Sequence, residues 1–114
     1  MSVILHLTSV SAWEFAQQMG EYRAPSLESE GFIHCSLPEQ IADVANAWFA
    51  GQSGLVLLVL DLTRLRPEVR FEAGADRPDR FFPHVYGPIN LDAVIRVLDY
   101  QPGQDGRFST PEMG

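Results

Sequence analysis

The sequence predicts a single mixed α+β domain, with two helices near the N-terminus and a second half rich in strands. Three observations lead to this prediction. The chain has 114 residues, which is enough for one hydrophobic core and too few for two independent ones. Apolar residues recur at helical spacing in the first half, and uninterrupted apolar runs of strand length occur in the second. No internal repeat or low-complexity segment indicates a further module.

The first part of the chain predicts a strand followed by a helix. The apolar run Val3 to Thr8 has the length and composition of a strand. Ser11-Ala12-Trp13-Glu14 matches a capping box, so a short helix should begin there, and Gly20 is placed to end it in the left-handed conformation. Residues 21–30 predict a loop. The buried face of this helix should consist of Trp13, Met19 and either Phe15 or Ala16.

A second strand and helix come next. Phe32 to Cys35 predicts a strand, and Ser36-Leu37-Pro38-Glu39 repeats the capping-box pattern with proline in the first helical turn. Gly51 and Gly54 end the helical spacing. The apolar stripe of this helix should consist of Ile41, Val44, Ala45, Trp48 and Phe49. We expect both tryptophans, Trp13 and Trp48, in the core.

The second half predicts strands and a tail. Leu55 to Asp61 is apolar until its last residue, which is typical of a strand buried on both faces at the centre of a sheet. Val69 to Glu72 and Ala93 to Leu98 predict two further strands, separated by an exposed loop at 73–80. The domain should therefore occupy residues 1–100, and residues 101–114 should form a flexible C-terminal tail.

Composition limits the partners and the compartment. The formal net charge is −7, and the eight basic residues are spread along the chain, so a nucleic-acid partner is disfavoured. The single cysteine allows no internal disulfide. No apolar run approaches the ~20 residues that span a bilayer, and the N-terminus lacks a signal-peptide pattern. We expect a cytoplasmic protein without membrane contact.

Three histidines lie in apolar segments and are the leading functional candidates. Burial disfavours the imidazolium, so keeping His6, His34 and His84 there costs stability unless they bind a ligand or one another. The alternative is that each is a structural residue satisfied by backbone or hydroxyl partners. Strand alternation puts Thr8 on the face of His6, and Ser36 on the face of His34. Cys35 should then point to the core as a small buried hydrophobe.

Other polar residues near the histidines are further candidates. Tyr86 and Asn90 lie just beyond His84, although 86–90 can also be explained as a turn in which Asn90 caps the next segment. Glu72 can be explained as a solvated strand end. A three-histidine metal site with an open fourth position is a third alternative. Because each histidine lies on a different element, the spacing does not support it, and we expect no metal.

Four motifs occur in one order along the chain: Leu5-His6-Leu7-Thr8, Tyr22-Arg23-Ala24-Pro25-Ser26, Gly31-Phe32-Ile33-His34-Cys35-Ser36 and His84-Val85-Tyr86-Gly87-Pro88-Ile89-Asn90-Leu91. Together they resemble the mostly bacterial family known as domain of unknown function 952. The resemblance covers nearly the whole chain up to Tyr100. It implies the fold of the ADP-ribosyltransferase superfamily, here two N-terminal helices packed on a split sheet. The order is also similar to that of phosphotransferases which remove a splicing-derived phosphate from transfer RNA.

The resemblance implies that His6, Thr8, His34 and Ser36 line the nucleotide pocket. The leading hypothesis is an ADP-ribosyltransferase-like transferase or NAD glycohydrolase, acting on NAD or another ADP-ribose-containing small molecule, with NAD as co-substrate. The alternative is a catalytically inactive module of the same fold that binds a nucleotide or a partner protein. The expected catalytic residues are His34, His84 and Tyr86. The expected substrate- or cofactor-binding residues are His6, Thr8, Ser36 and Asn90.

The chain departs from the superfamily pattern in one respect that concerns the reaction. Most such transferases use a late carboxylate to stabilise the oxocarbenium-like centre that forms during transfer. No clear glutamate motif occurs late in this sequence. Glu72 is one candidate substitute, and the other is the segment His84-Val85-Tyr86, which would provide hydrogen bonds in place of a charge.

Overall fold

Three helices and three small antiparallel sheets form the fold in the computed structural model, which describes residues 2–74 and 77–113. The predicted α+β class is therefore confirmed. The elements are β1 (Val3–Ser9), α1 (Val10–Met19), β2 (Glu21–Tyr22), α2 (Pro25–Ser29), β3 (Ile33–His34), α3 (Ile41–Trp48), β4 (Leu55–Asp61), β5 (Glu68–Ala73), β6 (Phe81–Tyr86), β7 (Ile89–Asn90), a 3-10 turn (Leu91–Ala93) and β8 (Val94–Asp99).

The main sheet has the order β1-β4-β8, and β4 is its central strand. All seven residues of β4 are buried, as its uninterrupted apolar run predicts. Each face of this sheet supports its own apolar cluster. One cluster packs Ile4 and Leu58 against Ile33 and Val85 of the second sheet. The other packs Leu5 and Leu57 against α3 and the C-terminal segment. The fold is thus layered around β4.

The second sheet has the order β3-β6-β5, and it places the functional candidates. His34 of β3 lies opposite His84 of β6, and Arg70 of β5 lies on the other side of His84. Just beyond β3, Ser36 forms an isolated bridge with Leu5 of β1, with N–O distances of 2.7 and 2.8 Å. This bridge joins the second sheet to the main sheet. The third sheet pairs β2 with β7.

Helix α1 begins earlier than its sequence predicts. Ser9 is the N-cap, and its Oγ accepts a hydrogen bond from the Ala12 N–H at 3.1 Å, so the predicted capping box at Ser11 is wrong. Gly20 ends the helix with φ 85°, as predicted. Ala16 is buried, whereas Phe15 and Met19 are exposed. The helix therefore presents only a narrow face to the core, with Trp13 partly buried on it.

Helix α3 begins later than predicted. The Ser36 carbonyl accepts from the Leu5 N–H at 2.7 Å, and the Gln40 N–H donates to Leu37 instead of Ser36, so no helix begins at Ser36 and α3 starts at Ile41. The Gln40 side chain instead accepts from the Leu37 N–H at 2.9 Å. Ile41 and Ala45 are buried as expected. The expectation that Trp48 lies in the core is wrong, because its side chain is among the most exposed apolar groups of the described chain.

Two segments contain elements that the sequence did not predict. The loop expected at 21–30 contains β2 and α2, and β6 was not predicted because Pro83 disfavours a strand. The Pro83 carbonyl accepts from the Cys35 N–H at 3.0 Å, so the backbone polar groups of Pro83 are on the side of β3. Pro83 is tolerated because β3 ends at His34, and no strand residue there needs the N–H that proline lacks. Of the predicted loop 73–80, residues 75 and 76 lie outside the described residues.

The segment predicted as a flexible tail packs against the domain. Phe108 is only 4% exposed and belongs to the second apolar cluster. The Asn46 side chain of α3 bonds both the N–H and the carbonyl of Phe108, at 2.8 and 3.0 Å. Phe108 also stacks on Tyr100, with a centroid distance of 5.1 Å. The core therefore extends past residue 100. Residues 1 and 114 of the predicted boundaries lie outside the described residues.

Replacing Phe108 should test whether this segment stabilises the domain. We expect Phe108→Ala to lower the free energy of unfolding by about 3 kcal/mol, because it leaves a cavity in the core. Phe15→Ala, at an exposed position of α1, is the control and should change it by less than about 0.5 kcal/mol. Urea denaturation of the two variants measures the difference. Equal effects would show that the packing of Phe108 adds nothing to stability.

Candidate functional site

Strand alternation gathers the candidate residues on one face of the β3-β6-β5 sheet. His84 and Tyr86 are two residues apart on β6, and the cross-strand register puts His34 and Glu72 on the same face. The opposite face carries Ile33, which is buried in the core. The structure therefore brings the predicted residues His34, His84 and Tyr86 together and adds Glu72 to them. We call His34, Glu72, His84 and Tyr86 the imidazole face.

Glu72 connects two members of the imidazole face. Its Oε1 accepts from His84 Nδ1 at 2.8 Å and from Tyr86 Oη at 2.5 Å. These two hydrogen bonds hold the pKa of the Glu72 carboxyl below its usual value, Tyr86 contributing most. The same contact with Glu72 raises the pKa of Tyr86. Glu72 is therefore a fixed and ionised carboxylate, and Tyr86 is a protonated donor.

The two imidazoles of the face pack around Phe32. The Phe32 ring stacks on His84 at 4.0 Å and 16°, and meets the edge of His34 at 4.9 Å. The two imidazole rings are 5.4 Å apart in a T-shaped arrangement. His34 Nε2 lies 2.9 Å from Glu30 Oε2, so each imidazole is oriented by its own carboxylate. A carboxylate partner fixes the ring and its tautomer, which general acid–base catalysis requires.

Arg70 adds a positive charge at the edge of the face. Its guanidinium lies 4.4 Å from the centre of the Tyr86 ring and donates twice to Glu68, at 3.0 and 3.1 Å. The contact with Glu68 raises the pKa of Arg70 and lowers that of Glu68. Glu30, Glu68 and Glu72 together outweigh this one cation. The face is thus acidic, which favours an electron-poor or positively charged group as its ligand.

His6 and Thr8 lie in a separate buried network. His6 Nδ1 contacts the backbone carbonyl of His34 at 2.6 Å, and His6 Nε2 contacts Tyr22 Oη at 2.7 Å. Tyr22 Oη in turn lies 2.9 Å from Thr8 Oγ1. Both nitrogens of His6 are therefore used inside the protein. His6 on β1 therefore holds the backbone of β3 at His34.

Burial determines the protonation state of His6. Desolvation lowers its pKa from the ordinary 6.5 to about 4. The His34 carbonyl only accepts, so the neutral ring carries its proton on Nδ1. Nε2 then accepts from the Tyr22 hydroxyl, whose oxygen is left to accept from Thr8. Burial also raises the pKa of Tyr22, which keeps its phenol protonated.

Ser36 and Asn90 are placed away from this chemistry. The backbone of Ser36 forms the bridge to Leu5. The Asn90 amide donates to the Arg64 carbonyl and to Asp92, and its oxygen accepts from the Arg66 N–H. It therefore ties the segment before β5 to the turn before β8. Cys35 points into the core as predicted, and burial raises the pKa of its thiol.

Asn90 and Tyr86 also border a shallow depression of about 380 Å³ beside the imidazole face. Its other borders are Gly20, Glu21, Arg66, Pro67, Gly87 and Pro88. Tyr86 is the residue shared between this depression and the imidazole face. A ligand longer than one ring could therefore extend from the face into the depression across Tyr86.

The geometry does not favour the three-histidine metal site. His34 and His84 are neighbours, but both nitrogens of His6 already have partners. Within residues 2–74 and 77–113, no group of three or more His, Cys, Asp or Glu side chains is arranged to hold a metal ion. His6 would have to break two buried hydrogen bonds to join such a site.

Four residues of these networks were not predicted from the sequence. Phe32, Tyr22, Arg70 and Glu30 each take part through contacts between separate elements. Tyr22 and Phe32 lie within the motifs that carry the family resemblance, which is a signal that could have identified them. Arg70 lies two residues before Glu72 on one strand, so alternation could have placed both on the same face.

Comparisons with known proteins identify relatives of the same fold. A family model described as protein of unknown function (DUF952) matches residues 7–97. The crystal structure of protein CC0527 from Caulobacter crescentus is similar, with TM-score 0.84 and 31% identity over 95% of this chain and 94% of that one. Its solution NMR structure gives TM-score 0.82 and 32% identity, over 96% and 93%. No curated protein matches.

No helix of the described chain is long and apolar enough to cross a membrane.

The buried His6 should make stability depend on pH. Its pKa is about 4 in the folded chain and about 6.5 in the unfolded one. Between these values the unfolded chain binds the extra proton, so stability is lost as pH falls through this window, by about 3 kcal/mol in total. His6→Gln should remove this part of the pH dependence, whereas the exposed His34→Gln should retain it. Urea denaturation from pH 7 to pH 4 measures both. Parallel curves for wild type and His6→Gln would contradict the prediction.

Proposed function

The chain belongs to the DUF952 family, and we propose that it is an enzyme acting on NAD or another ADP-ribose-containing small molecule at the imidazole face. The observation that carries the proposal is the Glu72 carboxylate, which two hydrogen bonds fix in place and keep ionised. This is the group that ADP-ribosyl chemistry requires and that no late sequence motif provided.

Cleavage of the bond between ribose and nicotinamide develops positive charge on the sugar. The bond breaks with its electron pair leaving on the nicotinamide nitrogen, which turns the pyridinium into neutral nicotinamide. A carboxylate beside the sugar stabilises the charge that is left behind. Glu72 is ionised before the substrate binds, so no proton has to move when the charge develops. Oε2 of Glu72 has no hydrogen-bond donor among the described residues, so it is available to face the sugar.

An oriented imidazole would complete the reaction. Water or another acceptor forms a bond to the ribose carbon and loses a proton, which His34 or His84 takes up as general base. His84 uses Nδ1 for Glu72, so its Nε2 is the nitrogen left for this proton. Tyr86 donates a hydrogen bond and orients Glu72. Phe32 and Tyr86 provide aromatic surface for a planar base.

His6 and Thr8 have a supporting role in this proposal. The resemblance implies that they hold the nucleotide, but their polar atoms are occupied within the protein. His6 instead holds the carbonyl of His34, and with it the backbone from which the His34 ring projects. The roles proposed for Ser36 and Asn90 are likewise structural, through the bridge to Leu5 and through the backbone around Arg66.

We further propose that the fold is a member of the ADP-ribosyltransferase superfamily. Two antiparallel three-stranded sheets that meet at the bridge of Leu5 and Ser36 support this placement. So do the His-x-Thr element on β1 and the His-x-Ser element at the end of β3. The acidic balance of the imidazole face argues against a nucleic-acid substrate and for a small molecule whose reacting end is a cation.

A catalytically inactive binding module is the second candidate. The openness of the site favours it, because the His34 side chain is 54% exposed and the neighbouring depression is shallow. Catalytic sites usually exclude water from the reacting groups. A protein that recognises a nucleotide without cleaving it needs no such exclusion. The two functions differ in whether nicotinamide is released.

Glu72→Gln separates the two candidates. If the chain cleaves NAD, we expect the rate of nicotinamide release to fall by about 10²–10³-fold, because the neutral amide cannot stabilise the developing charge. Binding of ADP-ribose, followed by calorimetry, should be retained. Chromatography of the products of incubation with NAD measures the rate.

Glu14→Gln, at an exposed position of α1, is the control and should leave the rate unchanged. If wild type binds ADP-ribose and releases no nicotinamide, the chain is a binding module. If it binds neither NAD nor ADP-ribose, the proposed substrate class is wrong. A rate for Glu72→Gln equal to that of wild type would remove Glu72 from the reaction.

A further inference from the structure

We propose that two copies of this chain form a dimer by pairing their β5 strands along the free edge of the β3-β6-β5 sheet. β5 is the outer strand of that sheet. Within residues 2–74 and 77–113 no strand pairs with its other side, and no other backbone hydrogen bond involves Val69, Phe71 or Ala73. An uncovered edge strand is a template for another strand. The inference does not depend on the proposed reaction.

The position of Pro83 identifies the backbone groups on this edge. The Pro83 carbonyl points to β3, where it accepts from the Cys35 N–H at 3.0 Å. Pro83 therefore does not bond its partner on β5, which is Phe71. In an antiparallel ladder, bonded and non-bonded pairs alternate. Val69, Phe71 and Ala73 thus direct their N–H and carbonyl groups outward, whereas Glu68, Arg70 and Glu72 bond β6.

The charges on β5 select one register for a symmetric antiparallel pair. A twofold axis through Phe71 places Arg70 of each copy opposite Glu72 of the second copy. An axis through Arg70 would place the Arg70 residues of the two copies opposite each other. An axis through Glu72 would do the same with the two Glu72 residues. Opposite charges directly across a pair of strands stabilise it, and like charges destabilise it. Only the register centred on Phe71 is both charge-complementary and contained within β5.

The same register satisfies the outward backbone groups. With the axis at Phe71, the Phe71 residues of the two copies exchange backbone hydrogen bonds with each other. Val69 of each copy exchanges them with Ala73 of the other. The two edges then exchange about six backbone hydrogen bonds. Neither strand contributes a proline within this range, so no donor is missing. A pair centred on Val69 would place Pro67 opposite Phe71 and lose a donor on each side.

Apolar side chains on the opposite face of the sheet contribute to the contact. Phe71 is 46% exposed and Phe81, two positions away across the sheet, is 60% exposed. In the pair, Phe71 of one copy lies directly opposite Phe71 of the other, with about 5.5 Å between their Cα atoms. The exposed Phe71 of each copy is then covered by Phe71 of the other. The interface is small, so we expect a dissociation constant on the order of micromolar.

The dimer would also complete the charge balance of the imidazole face. Glu72 carries the candidate chemistry, and Arg70 of the second copy would lie opposite it across the new pair of strands. Each copy would in this way contribute one cation to the site of the other.

Light scattering on a sizing column over a range of protein concentrations tests the dimer. Wild type should shift from monomer to dimer as concentration rises through the micromolar range. Arg70→Glu alone places a glutamate opposite Glu72, and Glu72→Arg alone places an arginine opposite Arg70. Each single variant should stay monomeric at concentrations at which wild type dimerises. Combining both in one chain restores opposite charges, so this double variant should dimerise.

Mixing the two single variants gives a sharper result. In a mixed pair, the glutamate introduced at position 70 of one variant meets the arginine introduced at position 72 of the other. The second contact of the pair joins the unchanged Glu72 of the first variant to the unchanged Arg70 of the second, so both contacts are complementary. Two proteins that are monomeric alone should therefore form a heterodimer together. Together with a wild type and a double variant that dimerise, this result is expected only for the register centred on Phe71, because a pair centred on Glu72 opposes two like charges in both of those proteins. Pairs centred on Arg70 or on Val69 leave at least one contact between two glutamates.

Glu14→Arg is the matched control, because it reverses a charge at an exposed position of α1 and should leave the dimer unchanged. Circular dichroism confirms that each variant is folded before its mass is interpreted. A wild-type chain that stays monomeric throughout the concentration range overturns the proposal. So does a dimer that Arg70→Glu leaves intact, or a mixture of single variants that remains monomeric.

Discussion

The contact between β1 and the end of β3 is the constraint on which the rest of the structure depends. β3 has only two residues, too few to fix a strand by pairing with β6 alone. The Leu5–Ser36 bridge adds two short backbone hydrogen bonds, and His6 adds a third to the His34 carbonyl. These three bonds link the central sheet, which the fully buried β4 stabilises, to the sheet that carries the imidazole face. Without them, the position of the His34 ring would depend on a short loop.

The three histidines have different roles because their surroundings differ. His6 is buried and neutral, with both nitrogens in hydrogen bonds that no ligand has to supply. His34 contacts a carboxylate at the end of α2, His84 contacts one on β5, and both rings pack around Phe32. The first arrangement is that of a structural residue, and the second is that of an oriented acid or base. The candidate chemistry therefore belongs to the second sheet, and the first histidine acts on it through the backbone.

The sequence predicted the features that depend on local pattern. It did not predict the features that depend on contacts between distant elements. The unbroken apolar run of β4 and the left-handed end of α1 at Gly20 need no knowledge of distant residues. The grouping of His34, His84 and Tyr86 was expected from the family resemblance, but no local pattern indicates the pairing of β3 with β6 that brings these residues together. The helix start expected at Ser36 was wrong because the N–H of Leu5, thirty-one positions away in the chain, donates to the Ser36 carbonyl that a first helical turn would use. Phe108 is buried because Asn46 captures its backbone, and no periodicity in a glycine-rich segment indicates that. The role of Tyr22 likewise exists only once β1 and β2 have come together.

β5 combines two properties that natural edge strands usually keep apart. Charged side chains along an edge normally discourage another strand from pairing with it. On β5 the charged residues alternate in sign as Glu68, Arg70 and Glu72, and an alternating row is repulsive in some registers and complementary in others. The charges therefore do not simply protect the edge; they determine which partner strand it accepts. Since Glu72 is also the residue that connects His84 and Tyr86, any strand that pairs with this edge acts directly on the electrostatics of the imidazole face. Chemistry on the face and recognition at the edge are thus coupled through one carboxylate, and a change at either should be detectable at the other.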